Sequence, residues 1–486
     1  MSELDGLIAR VLQPGFTGTA APDWIRRRLA GGLGSVILFG MNIQTPGQLR
    51  ALTDTLRAEN PDVFVAVDEE AGDITRLEHA AGSSYPGNLA LGTIDDVALT
   101  EATARSVGTR VRAGGIDLDY APVADVNTEP RNPVIGARSF GADPMLVARH
   151  VAAAVRGLHG AGVAACAKHF PGHGDTTVDS HFGLPTVHAT RADLERDTLP
   201  PFRAAVAAGA RAVMVAHLLI PALDPEHPAS VSPAVIHGLL RAGLGFEDLA
   251  VSDAIGMAAV RARYGLAGAA VRALAAGLDL VCVDSDSTDD DMTELTAAIT
   301  AAVRDGSLPE ARLVEAAGRV AEFAAWRRKT REAGHQDADS LEGGSPEGLR
   351  AARRAIRILR SDPTALPLPQ PPHVVEAELP RSLADHLAEL LPGTTRAPLT
   401  EVADAADLPA GRPLVIAVRG LQQKPEDVER VTALAKERPD AIVVELGVPH
   451  VDPGGAAWVA SFGASRVGMQ AVAEVLAGVR LSDPAS

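Results

Sequence analysis

The feature that most limits the fold of this chain is an alternation of short strand-like runs with longer helical patterns. It extends through roughly the first two-thirds of the 486 residues. The helical patterns, such as residues 46–59, 144–162 and 199–210, are amphipathic and rich in Ala or Leu. Alternation of this kind predicts parallel strands that are joined by crossover helices. The strand-like runs are apolar almost throughout, as expected when helices cover both faces of a sheet.

Eight runs within this region are predicted to be strands. They are residues 7–14, 35–40, 63–68, 116–125, 163–169, 212–217, 249–253 and 279–284. Eight strand–helix units predict an α/β fold of the (β/α)8 TIM-barrel type. An open, doubly wound parallel sheet is the alternative that the same alternation allows.

A second, shorter α/β region follows the first. Residues 333–349 lack apolar periodicity and are rich in Gly, Ser and acidic side chains, which predicts a linker. Three strand patterns and one helical pattern follow, at 373–379, 413–420, 441–448 and 463–478. The predicted boundaries are therefore a barrel over 1–332, a linker over 333–349 and a second α/β domain over 350–486.

Charge and composition narrow the classes of partner. The formal net charge is −17 at pH 7, which argues against nucleic-acid binding because that function needs a basic face. No window reaches the roughly 18 apolar residues of a membrane-spanning helix, and the N-terminus does not match a secretory signal. Cys166 and Cys282 lie in apolar runs and are expected to be buried core residues, not a disulfide or a metal pair. We therefore expect a soluble, cytoplasmic protein with no nucleic-acid or membrane partner.

Six of the predicted strands end on ionisable side chains. These are Asp68, Asp125, Lys168 with His169, His217, Asp253 and Asp284. Barrel enzymes carry their catalytic groups at the carboxyl ends of the strands, along one rim. A polar residue at a strand end can instead cap the next helix, but six of them on one rim favour a functional site.

The segment KHFPGHGDTTVDSHFGLP, residues 168–185, holds the densest group of polar side chains. Pro171 and Gly172 must end the strand, so Lys168 and His169 are expected at its terminus and the remainder in a loop. Inside that loop, Asp179 and His181 are two residues apart, and in an extended stretch their side chains point to the same side.

The pairing of Asp179 with His181 suits a general acid/base, because a carboxylate fixes the imidazole tautomer and stabilises its protonated form. A metal site on His169 and His173 is the rival interpretation, since helical zinc sites use this four-residue spacing. A proline and a glycine lie between these two histidines, however, and no third ligand stands at a recognised spacing. A triad of Ser180 with its two neighbours is weaker still, because adjacent residues of an extended run point to opposite sides.

Asp253, in LAVSDAIGM, is the second catalytic candidate. It ends an apolar strand and is followed by Ala and Ile instead of a capping pattern, which suits a fixed carboxylate nucleophile. Retaining glycosidases need a carboxylate that attacks the anomeric carbon and an acid/base on the leaving oxygen. With His181 as its partner, Asp253 would form a histidine–carboxylate variant of that arrangement.

Four runs resemble, in order along the chain, the signature of β-N-acetylglucosaminidases of glycoside hydrolase family 3. They are VDEEAG, GARSFG, KHFPGHGDTTVDSH and VSDAIGM, and the resemblance covers residues 8–330. KHFPGHG followed by DSH separates this branch from the β-glucosidases of the family. The region after 350 resembles the α/β sandwich domain that many members carry.

The resemblance implies a role for each matched residue. Asp253 is expected to be the nucleophile, and His181 the acid/base with Asp179 as its dyad partner. The matched sugar-binding positions are Asp68, Arg76, Arg138, Lys168 and His169. The implied reaction removes terminal, non-reducing β-linked N-acetylglucosamine with retention, from muropeptides or related disaccharides in peptidoglycan recycling, with no metal or organic cofactor.

The chain departs from the family pattern at two positions of the first run. Ala71 replaces a glycine, and Asp73 stands where an arginine is common. If Ala71 adopts a positive φ, the backbone there is strained. Three alternative functions stay open: a phosphorylase that uses phosphate as acceptor, a β-glucosidase or β-xylosidase, and a non-catalytic sugar-binding protein.

Overall fold

The computed structural model describes residues 2–177, 179, 183–332, 344–379 and 381–479. Eight short parallel strands form the N-terminal domain: β1 (Leu12–Gln13), β2 (Ser35–Leu38), β3 (Phe64–Val67), β4 (Leu118–Asp119), β5 (Ala164–Phe170), β6 (Ala212–Val215), β7 (Leu249–Ser252) and β8 (Val281–Cys282). Strands β2 to β7 pair in chain order, and β1 pairs with β8. Two backbone hydrogen bonds join the β1–β8 pair to the two ends of the β2–β7 sheet and close the ring. Ser252 N–H donates to Leu280 O at 3.0 Å, and Ile37 N–H donates to Pro14 O at 3.1 Å. The predicted barrel is confirmed.

Helices surround this barrel on the outside. They are α1 (Glu3–Val11), α2 (Asp23–Ala30), α3 (Pro46–Glu59), α4 (Asn88–Ile94), α5 (Val97–Ala113), α6 (Pro144–Gly160), α7 (Arg191–Asp193), α8 (Pro200–Ala207), α9 (Ala258–Ala276), α10 (Asp289–Asp305) and α11 (Glu310–Glu332). Local sequence fixes their starts: Thr45 before α3 and Asp143 before α6 each cap a backbone N–H, and a proline occupies the next position.

Both faces of the barrel strands are buried, which explains their continuous apolar character. On β3, Phe64 and Ala66 belong to the cluster inside the barrel, whereas Val65 and Val67 pack against the helices. Cys166 and Cys282 are free and buried within the inner cluster, as expected from the sequence.

The strand predicted at residues 7–14 is wrong for its first five residues. Ser2 and Asp5 form a capping box, so the chain enters the helix α1, and only Leu12–Gln13 is extended. Ile8 and Val11 are both buried, and their three-residue spacing places them on one helical face.

The C-terminal domain is a six-stranded sheet between helices. Its strands are β9 (Arg357–Ser361), β10 (His373–Glu376), β11 (Thr395–Pro398), β12 (Leu414–Val418), β13 (Ile442–Glu445) and β14 (Ala457–Ala460), and its helices are α12 (Pro346–Ala355), α13 (Leu383–Leu390), α14 (Pro425–Glu437) and α15 (Arg466–Leu476). The strand order is β11-β10-β12-β13-β14-β9, with β9 antiparallel to β14. Val374 packs with α13 and α15 on one face, and Val375 packs toward α14 on the other.

The two domains are in direct contact. Ala90 of the barrel domain is buried in one apolar cluster with Ala355, Ala460 and Phe462 of the C-terminal domain. The predicted linker falls largely outside the described residues, at 333–343, and the predicted domain boundaries stay predictions. Within the described ranges, no helix is both long enough and apolar enough to cross a bilayer.

Glu445 ties a turn of the C-terminal domain to its sheet. It ends β13 with 2% exposure, and its carboxylate accepts hydrogen bonds from Gly420 N–H at 2.7 Å, Gly447 N–H at 2.7 Å and Leu421 N–H at 3.2 Å. Burial raises the pKa of Glu445 to about 7 in spite of these three donors. The turn at 419–423 is therefore anchored by a carboxyl group that titrates near neutral pH.

The raised pKa of Glu445 predicts a pH-dependent stability of this domain. Because the folded state holds the proton more tightly than the unfolded state, the stabilisation is complete below the unfolded pKa and is lost as pH rises toward 7. Across this window the loss is about 3 kcal/mol. Native-state hydrogen exchange of the β12 and β13 amides, corrected for intrinsic rates, should show this pH-dependent loss of stability in wild type and not in Glu445→Gln. Val444→Ala is the control, since it should lower protection equally at every pH.

Candidate active site

A cavity of about 370 Å³ lies at the carboxyl ends of the barrel strands. This volume is at the small end of the usual range for small-molecule sites, roughly 300–1,000 Å³. Six of the eight predicted site residues line it: Asp68, Arg76, Arg138, Lys168, His169 and Asp253. A larger cavity of about 980 Å³ lies at the amino ends of β12 and β13, away from the rim where barrel enzymes hold their chemistry.

Lys168 and Arg138 are held on one wall of this cavity by two carboxylates. The ammonium group of Lys168, at the end of β5, lies 2.6 Å from Asp68 Oδ1 and 2.6 Å from Glu70 Oε1. Arg138 donates two parallel hydrogen bonds to Glu70, from Nε at 2.9 Å and from Nη2 at 2.7 Å. A buried lysine and a two-point arginine pair of this kind have little rotational freedom, so the wall is a rigid array of donors.

Glu70 and Lys168 keep their charges at neutral pH in spite of burial. Burial alone would favour neutral Glu70, but the guanidinium of Arg138 and the ammonium of Lys168 outweigh it and hold the pKa of Glu70 below its usual value. Burial likewise opposes the charge on Lys168, yet Asp68 and Glu70 raise its pKa. The wall therefore offers charged hydrogen-bond partners, which bind hydroxyl groups more strongly than neutral partners do.

Asp125 orients the imidazole of His169. It accepts a hydrogen bond from His169 Nδ1 at 2.7 Å and from the backbone N–H of His173 at 2.6 Å. The other imidazole nitrogen, Nε2, lies 3.4 Å from Arg138 Nη2 at the cavity. His173 is turned toward Thr176, with Nδ1 2.7 Å from its hydroxyl group. Asp125 and Thr176 thus fix the two imidazoles at the start of the loop, where their rings meet edge to face with centroids 6.1 Å apart.

Asp253 follows β7 directly and is fixed by backbone contacts. Its N–H donates to Val215 O at 3.0 Å, and its Oδ1 accepts from Ala254 N–H at 2.9 Å. Ala254 O in turn accepts from His217 Nε2 at 2.9 Å. Burial disfavours the charged form of Asp253, but the imidazoles of His217 and His169, among other groups, hold its pKa below 3.8. Asp253 is therefore a positioned, ionised carboxylate.

Arg76 lies on a turn that Glu69 holds from behind. Glu69 Oε2 accepts from the backbone N–H groups of Arg76 at 2.7 Å and Leu77 at 2.9 Å. Burial raises the pKa of Glu69 to about 7 against these bonds. The guanidinium of Arg76 lies over the ring of Phe39 at 5.8 Å, and its Nε has no hydrogen-bond partner among the described residues. Arg76 therefore presents a guanidinium at the cavity wall.

The backbone before Arg76 is strained, as the departure from the family pattern suggested. Ala71 has φ 62°, a conformation that costs a non-glycine residue about 1–2 kcal/mol. Gly72, with φ 59°, lies so close to Gly87 that a Cβ atom would approach its Cα to 2.4 Å. Strain of this size persists only where surrounding contacts fix the turn.

The loop that follows Gly172 is only partly covered by the described residues. His181 lies outside the described residues, and so do its neighbours at 178, 180 and 182. Asp179 is half-buried, and its carbonyl oxygen accepts from Gly183 N–H at 3.1 Å. The predicted Asp179–His181 dyad, like the other assigned roles, stays a prediction.

Sequence reasoning missed Glu70, which joins Lys168 to Arg138, and Ser285 on the cavity wall. It placed Asp125 and Asp284 on the rim without a role; Asp125 lies behind His169, and Asp284 lines the cavity. The signal for Glu70 was the pair of adjacent glutamates after β3. Successive residues of an extended run point to opposite sides, so one of the two had to face the cavity.

The fold and the cavity together define a class of protein. An ionised carboxylate faces a rigid set of charged donors in a small cavity at the catalytic rim of a barrel, which suits covalent chemistry on a small polyhydroxylated molecule. Among the described residues, no group of three or more potential ligands is arranged to hold a metal ion.

Residues 18–323 match the family model described as the glycosyl hydrolase family 3 N terminal domain. The chain belongs to this family and is a glycoside hydrolase. It is 37% identical over 305 residues to a beta-hexosaminidase of Xanthomonas euvesicatoria pv. vesicatoria, covering 62% of this chain and 87% of that protein. It is 34% identical over 270 residues to beta-hexosaminidase A of Pseudoalteromonas piscicida, where the match covers 51% of this chain and only 45% of that longer relative.

A solved structure resembles the whole chain. The glycoside hydrolase family 3 beta-N-acetylglucosaminidase from Paenibacillus sp. str. FPU-7 superimposes with a TM-score of 0.88 at 32% identity, over 98% of this chain and 97% of that chain. The likeness therefore includes the C-terminal α/β domain as well as the barrel.

Proposed function

We propose that the protein is a retaining exo-β-N-acetylglucosaminidase. It removes terminal, non-reducing β-linked N-acetylglucosamine from muropeptides or related glycosides, in peptidoglycan recycling. The observation that carries the proposal is that the ionised Asp253 lines the same cavity of about 370 Å³ as Lys168 and Arg138. This supports recognition of a single terminal sugar. The cytoplasmic location expected from the sequence stays a prediction.

The donor wall supports the recognition step. Lys168, Arg138, His169 and Arg76 present charged or imidazole N–H groups, and Asp68 presents carboxylate oxygens, so sugar hydroxyls find both acceptors and donors. Apolar side chains that include Phe39, Met214 and Met257 line the same cavity and offer a surface for the N-acetyl methyl group. These groups orient the anomeric carbon toward Asp253.

The bond changes follow from the two catalytic groups. Ala254 N–H holds Oδ1 of Asp253, so Oδ2 attacks the anomeric carbon and forms a glycosyl ester. The bond to the leaving oxygen breaks, and this oxygen takes a proton from His181. In the second step, His181 removes a proton from water, the water oxygen attacks the anomeric carbon, and the ester bond to Asp253 breaks. Two displacements on one carbon retain its β configuration.

Names of relatives support the choice of sugar. The relatives in Xanthomonas and Pseudoalteromonas are named beta-hexosaminidases, and the Paenibacillus structure is named a beta-N-acetylglucosaminidase. We infer the same sugar for this chain because the residues assigned to sugar binding line its cavity.

Product analysis tests the proposal. We expect a defined muropeptide to release free N-acetylglucosamine at the same rate with and without phosphate, and the β-N-acetylglucosaminide to be preferred over the β-glucoside and β-xyloside among nitrophenyl substrates. N-acetylglucosamine 1-phosphate as the main product would instead identify a phosphorylase. Preference for glucose or xylose would overturn the substrate, and binding without turnover would identify a sugar-binding protein.

A further inference from the structure

Asp73 belongs to the barrel but is bound by the C-terminal domain. Its carboxylate, 3% exposed, accepts from Arg419 Nε at 2.9 Å and lies 2.7 Å from Arg419 Nη2. The other oxygen accepts from the backbone N–H of Ala464 at 2.5 Å. Three donors from the second domain thus converge on one acidic side chain of the first.

The same C-terminal turn holds a second loop of the cavity. The side-chain amides of Gln422 and Gln423 donate to Pro130 O at 2.9 Å and to Asn132 O at 2.7 Å. Asn132 donates from its own side chain to His173 O at 2.8 Å. The turn at 419–423 therefore contacts the barrel on two sides of the cavity.

Asp73 is connected to Arg76 through a short, closed turn. Glu70 N–H donates to Ile74 O at 3.1 Å and Ile74 N–H to Ala71 O at 3.2 Å, so the backbone doubles back across Asp73. This turn contains the strained Ala71 and ends at Ile74, and Arg76 lies only two residues further along the chain. The carboxylate of Asp73 and the backbone of Arg76 therefore belong to one short hydrogen-bonded segment of the chain.

We propose that Arg419 is a positioning residue for the active site: through the buried carboxylate of Asp73 it fixes the strained turn 71–74 and so places Arg76 at the cavity wall. The inference rests on the proposed function in one respect, that Arg76 binds the sugar. Asp73, which stands where an arginine is common in the family, thereby gains a role, because this acidic residue pairs with a basic residue of the C-terminal domain.

The exposure of Arg419 and the burial of Asp73 favour a positioning role for Arg419 over a stabilising one. Arg419 is 40% exposed, so the ion pair adds little to stability by itself. Its loss leaves the carboxylate of Asp73 buried with Ala464 N–H alone, and the turn must move to reach water. The strain at Ala71 favours such movement once the restraint is gone.

Steady-state kinetics of the full chain on nitrophenyl β-N-acetylglucosaminide test the proposal. We expect Arg419→Ala to raise KM by about 5- to 30-fold with little change in kcat, because Arg76 binds the ground state and the transition state alike. Arg419→Lys should recover part of the loss. In an Arg76→Ala background, Arg419→Ala should add almost nothing, since both changes remove the same contact. Full additivity of the two changes would overturn the proposal.

Arg354→Ala is the matched control. Arg354 forms another ion pair between the domains, 3.0 Å from Asp96, and neither residue lines the cavity. We expect its KM to stay within about twofold of wild type. An equal rise in KM for Arg354→Ala would mean that any weakening of the interface is sufficient, and would overturn the special role of Arg419.

Hydrogen exchange separates this inference from the proposed function. The amides of Ile74, Arg76 and Leu77 should exchange faster in Arg419→Ala and unchanged in Arg354→Ala. Unchanged exchange in Arg419→Ala overturns the positioning role, whatever the substrate is. Faster exchange in an enzyme that does not act on N-acetylglucosaminides overturns the proposed function and leaves the coupling of the two domains in place.

Discussion

Replacement of Asp253 by alanine is expected to lower kcat on every β-N-acetylglucosaminide by about 10⁴-fold or more. The carboxylate is the only group we assign to bond formation with the anomeric carbon, and its pKa below 3.8 keeps it ionised at neutral pH. Its loss should be independent of the leaving group, because no glycosyl ester forms. Nitrophenyl and unactivated substrates, measured side by side, test this.

The contrasting variant is His181→Ala. It removes the acid that protonates the leaving oxygen, so nitrophenolate, which leaves without a proton, should still depart and unactivated sugars should not. Loss of equal size on all leaving groups would contradict the acid role. Asp253→Asn keeps the side-chain volume and an acceptor for Ala254 N–H, and it should be as inactive as Asp253→Ala.

Azide provides a chemical check on the nucleophile. In Asp253→Ala, azide fits the space that the carboxylate leaves, and it attacks the anomeric carbon from the same face in a single displacement. We expect an α-glycosyl azide, of inverted configuration, from an activated substrate. A β-azide, or wild-type activity in the variant without azide, would place the nucleophile elsewhere.

The barrel was predictable because its strands have an unambiguous physical pattern. Strands that are buried on both faces, such as β3 and β5, are continuous apolar runs, and the helices between them have clear amphipathic periods. The prediction of a strand at 7–14 was wrong for residues 7–11 because a short amphipathic helix and a buried strand have similar composition. β9, with two arginines and an exposed Ile358, was missed because an edge strand lacks the apolar pattern.

The cavity was predictable in part, for a similar reason. Strand ends converge on one rim of a barrel, so Lys168, His169 and Asp253 were expected to lie together. Contacts between distant loops leave no local signal in one sequence. The pairing of Asp73 with Arg419, 346 residues apart, therefore appears only in the fold.

Glu70 shows how a single buried carboxylate decides the charge of the site. It lies between Lys168 and Arg138 with 3% exposure, and it accepts hydrogen bonds from both cations. Its removal leaves Arg138 without a carboxylate partner at the cavity and leaves Lys168 with Asp68 alone. Breaking a buried pair on one side costs about 3–5 kcal/mol of folding free energy.

We expect Glu70→Ala to destabilise the barrel by this amount, about 3–5 kcal/mol, in calorimetry of the full chain. Glu101→Ala is the control, because its pairs with Arg156 at 2.8 Å and Arg105 at 3.4 Å are partly exposed, and their loss should cost about 1 kcal/mol or less. Equal destabilisation by the two variants would contradict a buried network at the cavity.

Glu70→Gln removes the charge of Glu70 and keeps the side-chain volume, and the pH dependence of sugar binding separates its effect on the site from its effect on folding. Burial lowers the pKa of Lys168, and Asp68 and Glu70 together raise it above 10.5. Without the charge of Glu70, the protonated lysine loses one of its two anionic neighbours, so its pKa falls. Binding of N-acetylglucosamine, which does not need the acid His181, should therefore weaken at lower alkaline pH in Glu70→Gln than in wild type, at temperatures where the variant is folded. A binding profile that coincides with that of wild type would mean that the Lys168 charge does not bind the sugar.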